Sequence, residues 1–217
     1  MADLIVGQPV VISVDVQRAG ARGDGPIPHM PGFPERLRRS VAIVEAARQA
    51  GVPVIFIQER HSRTHVDFGR ELDGREAVHC LEDDPETALH DLLRPLPDEY
   101  HVPKRRYSAF FGTDLDILLR GLGARTLLLF GGLTDVCVQY TFVDGHQHDY
   151  HVRVAADACG GSSFEAHEAA LRAMEYLQRG ALSSTTDFVA ALLSHPGPRR
   201  PAVQPLPAAA EAQALPA

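Results

Sequence analysis

The sequence predicts an α/β fold, a three-layer α/β/α Rossmann-like sandwich around a mainly parallel sheet of about six strands. Short, nearly continuous apolar runs alternate with segments in which apolar residues recur every three or four positions. Because a strand buried on both faces reads as an unbroken apolar run, this alternation indicates a parallel sheet covered by helices on both sides. The 217 residues suit one domain, which we place at residues 1–194, and the Pro/Ala-rich residues 195–217 are predicted to form a flexible tail.

The predicted elements follow one another in order along the chain. The first strand is VVISV at residues 10–14, and the first helix spans residues 33–50, where Gly51 ends it. A long loop at residues 58–84 interrupts the alternation, and we interpret its charged part, residues 65–76, as a lid or binding loop or as a solvated or oligomer-contact segment. The further predicted strands are residues 52–57, 100–103, 125–130, 151–156 and 181–183. The further predicted helices are residues 84–93, 113–122 with Thr113 as the cap, 134 onward, 164–179 and 185–193.

Composition argues against several classes of partner. The formal net charge is −7, which gives no basic surface for nucleic acid or for an anionic membrane. No apolar run approaches the roughly 20 residues that cross a bilayer, and the first residues lack the features of a signal peptide. The three cysteines do not suggest a disulfide framework, so we expect a cytoplasmic protein with free thiols.

Three chemically complementary residues follow predicted strands. Asp15 follows the first strand, Lys104 follows the strand at 100–103, and Cys137 lies just past the strand at 125–130. Ligands of parallel α/β folds bind beyond the carboxyl ends of the strands, so these positions are candidates for chemistry. Taken singly, each has a structural interpretation: Asp15 as a cap of a helix or turn, Lys104 as a solvated lysine, and Cys137 as a small buried hydrophobic residue. Together they supply a nucleophilic thiolate, a cation that with a helix N-terminus lowers the thiol pKa, and an acid that transfers the proton.

The segments that carry these residues, VISVDVQ, VPKRRYSAF and GGLTDVCVQYT, resemble the signature segments of the isochorismatase-like cysteine hydrolases, in that family's order. The later segment DYHVRVAADACGGSS resembles the family's fifth strand and the turn after it. The resemblance extends to about Leu193. It implies that Cys137 attacks the carbonyl carbon of a small amide, with Asp15 as general base and acid and Lys104 as electrostatic partner. A thioester acyl-enzyme would form, ammonia or an amine would leave, and water would complete the hydrolysis.

The resemblance also implies a particular backbone geometry before the cysteine. Family members carry a non-proline cis peptide bond there, and the matching bond is Gly132–Leu133. The backbone N–H groups of Leu133 and Cys137 would then form an oxyanion hole, in which each donor is worth about 3 kcal/mol of transition-state stabilisation. The glycines fit this expectation because they allow the backbone to approach a substrate closely.

Other residues near the strand ends are candidates for binding the substrate. The guanidinium groups of Arg60, Arg105 and Arg106 suit a carboxylate or a ureido oxygen. Each candidate also has a structural alternative, such as a loop hydrogen bond or core packing. The candidate substrate-binding residues are Gln17, Glu59, His61, Arg105, Tyr107, Phe110 and Thr134.

The sequence gives only a weak indication of a metal. Nicotinamidases of the resembled family bind a metal through an Asp-x-His pair after the second strand and a histidine further on. The corresponding pair here is Glu59-x-His61, with His65 and His79 later in the chain. Because two ligands and an uncertain third do not define a metal site, we predict no metal and no other cofactor.

The predicted function is a cysteine-dependent amidohydrolase that cleaves a C–N bond of a small linear amide, either a carbamoyl or ureido compound or a short amide acid. The alternatives are a nicotinamidase-like activity, an isochorismatase activity, which does not depend on the cysteine, and a non-catalytic binding member of the fold. A binding member would be expected to lack one of Asp15, Lys104 and Cys137, and all are present. The resemblance also implies a homodimer or homotetramer, with no nucleic-acid or membrane partner.

Overall fold

A computed structural model describes residues 3–21 and 25–195 of the chain. Its strands are β1 (Pro9–Val14), β2 (Val54–Glu59), β3 (Tyr100–Lys104), β4 (Thr126–Gly132), β5 (His151–Gly160) and β6 (Leu182–Ser183). Its α-helices are α1 (Phe33–Gln49), α2 (Leu115–Gly121), α3 (Gln139–Gln147), α4 (Phe164–Leu177) and α5 (Thr185–Ser194). Within the described part, no helix is long and apolar enough to cross a membrane. The predicted tail falls outside these residues, except for His195.

The strands form one six-stranded sheet in the order β3-β2-β1-β4-β5-β6, and all neighbouring strands are parallel. This confirms the predicted α/β fold. The chain moves outward from β1 to β2 and β3, and then crosses back to add β4 on the other side of β1. The carboxyl ends of β1 and β4 therefore flank the point where the strand order reverses, which is where such sheets bind ligands.

The central strands are buried along almost their whole length. Every residue of β1 and β2 is buried, as are the first six of the seven residues of β4. Their β-branched and aliphatic side chains suit a pleated surface that is covered on both faces. The helix α1 adds an apolar face that includes Leu37, Ile43, Val44 and Ala47, and it packs against α5 and β5.

Local sequence signals fix several helix ends. Gly51 follows α1 with a φ of 66°, a left-handed conformation that glycine adopts at little cost. The side chain of Ser163 accepts a hydrogen bond from the Ala166 N–H at the start of α4. Ser184 and Asp187 form a capping box that opens α5, because each side chain accepts a backbone N–H of the other.

Some predicted elements differ from the structure. The helix predicted at residues 84–93 is instead two 3₁₀ turns, Pro85–Thr87 and Asp91–Leu93, and each is opened by a side-chain cap, Asp84 in the first and His90 in the second. Ala88, between the two turns, has a ψ of 147°, an extended conformation that interrupts the helical path.

Two other predicted helices begin differently. The helix predicted from residue 134 opens with a π-helical turn, Thr134–Val138, before α3. The helix α2 begins at Leu115 rather than at Thr113, whose hydroxyl donates to the Ala109 carbonyl and accepts from the Leu115 N–H.

The close passage of β4 past β1 depends on a glycine. Gly131 has a φ of +123°, and a Cβ atom at this position would lie 2.0 Å from the Val14 carbonyl oxygen. We expect Gly131→Ala to lower the free energy of unfolding by about 3 kcal/mol or more, because both the backbone conformation and the strand spacing must change. Urea denaturation measures this change.

Gly121→Ala is the matched control, because a Cβ atom there meets nothing within 4 Å and the residue lies in α2. We expect that variant to be as stable as the wild type or more stable by up to about 1 kcal/mol. Equal stability of the two variants would contradict the role assigned to Gly131.

Candidate active site

The structure brings the three predicted catalytic residues together at the carboxyl edge of the sheet. The Lys104 ammonium nitrogen lies 3.0 Å from Asp15 Oδ2 and 3.3 Å from Cys137 Sγ. Asp15 directly follows β1, Lys104 ends β3, and Cys137 lies in the π-helical turn after β4. The lysine side chain is fully buried and bridges the ends of strands that are not neighbours.

A fourth residue, Glu59, completes this cluster. It ends β2 and stands in register with Lys104 of β3. Its Oε2 lies 2.6 Å from Lys104 Nζ and 3.5 Å from Cys137 Sγ, and its backbone N–H donates to Asp15 Oδ1 at 2.7 Å. Sequence reasoning placed Glu59 among the substrate-binding candidates only. The strand register, which the sequence alone did not give, makes it the second carboxylate on the lysine.

The charges of the cluster are strongly interdependent. Burial works against the charge of Lys104, but Asp15 and Glu59 raise the pKa of its ammonium group well above the ordinary value. Burial and the neighbouring Glu59 raise the pKa of Asp15, although Lys104 opposes them. The pKa of Glu59 is instead well below the ordinary value, because Lys104 and two histidines outweigh the effect of burial. Lys104 is also the only lysine in the chain.

The Cys137 thiol differs from the sequence-based expectation. Burial raises its pKa well above the ordinary value, and Lys104 offsets this only in part because Asp15 and Glu59 act in the same direction as burial. The predicted lowering by a cation and a helix N-terminus is therefore outweighed. An attack by this cysteine on a substrate requires a proton acceptor nearby, because the thiolate is the nucleophile. Oxygens of Asp15 and Glu59 lie within 4.8 Å of the sulfur.

The backbone before Cys137 has the conformation that the resemblance implied, since the peptide bond between Gly132 and Leu133 is cis. The Leu133 carbonyl oxygen accepts hydrogen bonds from the N–H groups of Val136 and Val138, each at 3.1 Å. These bonds fix the start of the π-helical turn that carries Cys137. The oxyanion hole formed by Leu133 and Cys137 remains a prediction.

A cavity of about 410 Å³ opens onto the cluster, and Asp15, Leu133 and Cys137 contribute to its lining. Its size suits a small organic molecule. The predicted substrate-binding residues Gln17, Glu59 and Tyr107 also line it. The Gln17 amide group donates to the carbonyl oxygens of Glu59 at 3.0 Å and Thr87 at 2.6 Å, so this side chain holds the surrounding loops together.

Other predicted substrate-binding residues lie outside the lining of this cavity. Arg105 forms an ion pair with Asp67 at 2.8 Å. Phe110 packs beside the Tyr150 ring, with ring centroids 6.3 Å apart. A contact of these two residues with the substrate remains a prediction.

Thr134 and His61 also lie outside the cavity lining. Thr134 is fully buried and its hydroxyl oxygen lies 2.8 Å from His167 Nδ1, which ties the π-helical turn to α4. His61 is fully buried and stacks on Phe68 with ring centroids 3.9 Å apart.

A second cluster lies next to the predicted catalytic residues and shares Glu59 with them. It consists of Glu59, His61, Glu71 and His79, and we call it the histidine–carboxylate cluster. All four residues are buried, and one ligand atom from each lies within 4.8 Å of the others. His79 Nε2 is 2.7 Å from Glu59 Oε1, and His61 Nε2 is 3.2 Å from Glu71 Oε2. Both ring nitrogens of His61 and both carboxylate oxygens of Glu71 are buried, and none of them makes a hydrogen bond of normal geometry, although His61 Nε2 and Glu71 Oε2 form the ion-pair contact given above.

The donor set of this cluster fits a divalent transition-metal ion. Two imidazoles and two carboxylates are ligands that Zn²⁺ and similar ions accept, and the atoms of His61 and Glu71 that make no such hydrogen bond are free to coordinate. Protonation is the other way to balance these charges: although burial opposes it, Glu59 and Glu71 raise the pKa of His61 to about 9. The sequence analysis missed Glu71 because this residue lies in an irregular loop, where no periodicity points to the cluster.

Comparison with sequence families and relatives gives a consistent picture. Residues 9–187 match the sequence model of the isochorismatase domain. A protein named ureidoacrylate amidohydrolase RutB from Methylorubrum extorquens is 35% identical over an alignment of 218 positions, and the alignment covers 89% of this chain and 86% of that protein. A protein of the same name from Pseudomonas savastanoi pv. phaseolicola is 34% identical and covers 84% of this chain and 82% of its own length.

Solved structures with the same fold include an isochorismatase-like hydrolase from Alkaliphilus metalliredigens. It has 26% identity and a TM-score of 0.76, and the match covers 85% of this chain and 99% of that one. The pyrazinamidase of Pyrococcus horikoshii, solved in complex with zinc, has 26% identity and a TM-score of 0.71, over 82% of this chain and 99% of that one.

The buried lysine makes the cluster sensitive to the loss of its charge. We expect Lys104→Met to lower the free energy of unfolding by about 3–5 kcal/mol, because it leaves buried carboxylates without their cation. Chemical denaturation measures this. The control is Arg38→Met, which removes an exposed ion pair with Glu35 and should cost less than about 1 kcal/mol. A Lys104→Met variant as stable as the control would contradict the assigned electrostatics.

Proposed function

The chain belongs to the isochorismatase family, and from this premise we propose that it is a cysteine-dependent amidohydrolase that cleaves a C–N bond of a ureido or carbamoyl compound. The membership confirms the resemblance that was drawn from three sequence segments. The observation that carries the proposal is the buried lysine that joins Cys137 to Asp15 at the wall of a cavity.

In the proposed reaction, Cys137 Sγ attacks the carbonyl carbon of the substrate and transfers its proton to Asp15. The carbonyl oxygen becomes an oxyanion that the N–H groups of Leu133 and Cys137 would bind. Asp15 returns the proton to the leaving nitrogen, the C–N bond breaks, and ammonia or an amine departs. A thioester remains, which is a thiocarbamate when the substrate is a ureide. Water then attacks it, Asp15 again accepts a proton, and the thiol is regenerated as the acid product leaves.

The contrast between the two carboxylates supports these roles. Asp15 has a raised pKa and Glu59 a lowered one, so Asp15 is suited to exchange a proton while Glu59 stays charged. Lys104 remains an ammonium ion beside the sulfur, where it stabilises negative charge as the thiolate forms. Glu59 balances that positive charge before the reaction begins.

The ureido or carbamoyl substrate class is supported by the relatives named ureidoacrylate amidohydrolases, with which this chain shares about a third of its residues. A short amide acid is the other form of the proposal. An isochorismatase activity is disfavoured because it does not depend on the cysteine, so the placement of Asp15, Glu59 and Lys104 around Cys137 would have no use in it. A purely binding protein would have no use for this arrangement either.

A metal-dependent, nicotinamidase-like activity is a second candidate, and the histidine–carboxylate cluster favours it. Glu59, His61, Glu71 and His79 would hold the ion. When bound, a divalent ion would supply a Lewis acid that polarises a carbonyl group. Glu59 would link the two sites, because one of its oxygens faces His79 and the other faces Lys104.

We also propose a homodimer or homotetramer in the cytoplasm. The assembly rests on the resemblance of the sequence to its family, and the free cysteines Cys80, Cys137 and Cys159 support a reducing compartment.

The nucleophile is tested by release of ammonia from ureidoacrylate-like compounds and N-carbamoyl amino acids. We expect Cys137→Ala to lower kcat/KM by about a thousand-fold or more with the fold intact, because the reaction loses its nucleophile. Cys159→Ala is the matched control, since Cys159 is buried away from the cavity lining and should keep turnover within about three-fold. Retained activity in Cys137→Ala, or a folded wild type that is silent on every compound, would reject the proposal.

The second candidate is tested by metal content. It predicts about one Zn²⁺, Mn²⁺ or Fe²⁺ per chain in protein that is purified without a chelator. Inductively coupled plasma mass spectrometry measures this metal content. His61→Ala and Glu71→Gln should lose this ion, whereas Glu82→Gln, a partly exposed residue of the same loop, should keep it. A chelated, metal-free wild type that retains full turnover of ureido compounds and none of nicotinamide would reject this candidate.

A further inference from the structure

We propose that Arg36 determines the substrate specificity of this site by binding a carboxylate of the substrate, so that the substrate is a ureido or carbamoyl acid. This inference rests on the proposed amidohydrolase function and adds a recognition element to it. Arg36 lies in the first turn of α1, and it is not among the arginines near the strand ends that the sequence suggested for this role.

Arg36 is positioned to face a ligand. It lines the same cavity as Cys137, and its guanidinium group donates hydrogen bonds to two backbone carbonyl oxygens. Its Nη1 donates to the Pro31 carbonyl oxygen at 2.7 Å and its Nη2 donates to the Met30 carbonyl oxygen at 2.9 Å. A guanidinium group carries five N–H donors, so these two bonds orient the group and leave donors for a ligand.

The charge of Arg36 has no counter-ion among the residues that the structure describes. No carboxylate oxygen of the described residues lies within 4.0 Å of it, whereas Arg38 and Arg39 on the same helix both pair with Glu35. Burial lowers the pKa of Arg36, but an arginine stays charged at any physiological pH. A partly buried charge without a partner is unfavourable, and an anionic ligand in the cavity would offset that cost.

The backbone of β5 makes room for this guanidinium group. A Cβ atom at Gly160 would lie 2.5 Å from Arg36 Nε and 2.8 Å from Arg36 Cζ. Gly160 stands in register with Gly132 of β4, whose peptide bond to Leu133 leads into the turn of Cys137. The guanidinium group therefore packs on the strand beside the reacting edge, where a carboxylate near the scissile carbonyl of a small substrate can reach it.

The arginines that the sequence suggested for this role are engaged elsewhere. Arg60 lies 3.6 Å from a carboxylate oxygen of Glu82, and Arg105 pairs with Asp67. Arg106 donates to backbone carbonyl oxygens, and none of the three lines the cavity. A planar guanidinium group binds a carboxylate through two parallel hydrogen bonds, which makes Arg36 selective for an acid over the corresponding ester.

Binding is tested in the Cys137→Ala background, where no turnover is needed. Calorimetry compares N-carbamoyl-β-alanine with its methyl ester, and we expect the acid to bind more tightly. Adding Arg36→Gln should raise the dissociation constant of the acid by about 10–100-fold, which corresponds to the loss of a hydrogen bond to a charged group. The dissociation constant of the ester should change by no more than about three-fold. Arg36→Lys, which keeps the charge but not the planar fork, should fall between these results.

The matched control is Arg38→Gln, an exposed arginine two residues away, which should change neither affinity. In the Cys137-containing protein, the acid-to-ester ratio of kcat/KM should fall with Arg36→Gln, mainly through KM, while unfolding midpoints stay the same. The inference is overturned if the acid does not bind, or if Arg36→Gln weakens the acid and the ester equally. Arg36-dependent binding without any turnover by the wild type would instead reject the proposed function alone.

Discussion

The buried ammonium group of Lys104 is the interaction on which the rest of the site depends. A fully buried cation is stable only with anionic partners, and Asp15 and Glu59 supply them at 3.0 and 2.6 Å. These partners come from β1 and β2, while the lysine comes from β3 and the thiol follows β4. The strand order places the carboxyl ends of these four strands side by side. The parallel sheet is therefore the scaffold that places one compact charge beside both the proposed nucleophile and the proposed proton carrier.

Much of this arrangement could be predicted from the sequence, because the relevant signals are local. The apolar runs locate the buried strands, and Asp15, Lys104 and Cys137 each follow one of them closely. Glu59 also ends a strand, but its place beside the lysine depends on the register between β2 and β3, which one sequence does not reveal. Arg36 lies in an arginine-rich helical segment that reads as a solvated face, and only the packing of α1 on β5 brings it to the cavity.

The loop after β2 shows a different limit of sequence reasoning. Its charged composition suggested a lid or a solvated segment, yet His61, Glu71 and His79 are buried within it. Glu59 connects this interior to the catalytic residues, since its two oxygens face His79 and Lys104. A carboxylate shared in this way transmits any change of charge in the loop to the lysine. The loop is thus part of the electrostatics of the site, and its residues Val78, Cys80 and Leu81 also line the cavity.

The solitary lysine has a practical consequence for chemical modification. Reagents that acylate amines have only two kinds of target on this chain, the α-amino group and a side chain that is fully buried. A fluorophore or surface linker attached through an amine-reactive ester would therefore sit at a single terminal point while the protein remains folded. Incorporation of a second label would report exposure of the buried lysine, so the number of labels per molecule measures the fraction of molecules that have opened.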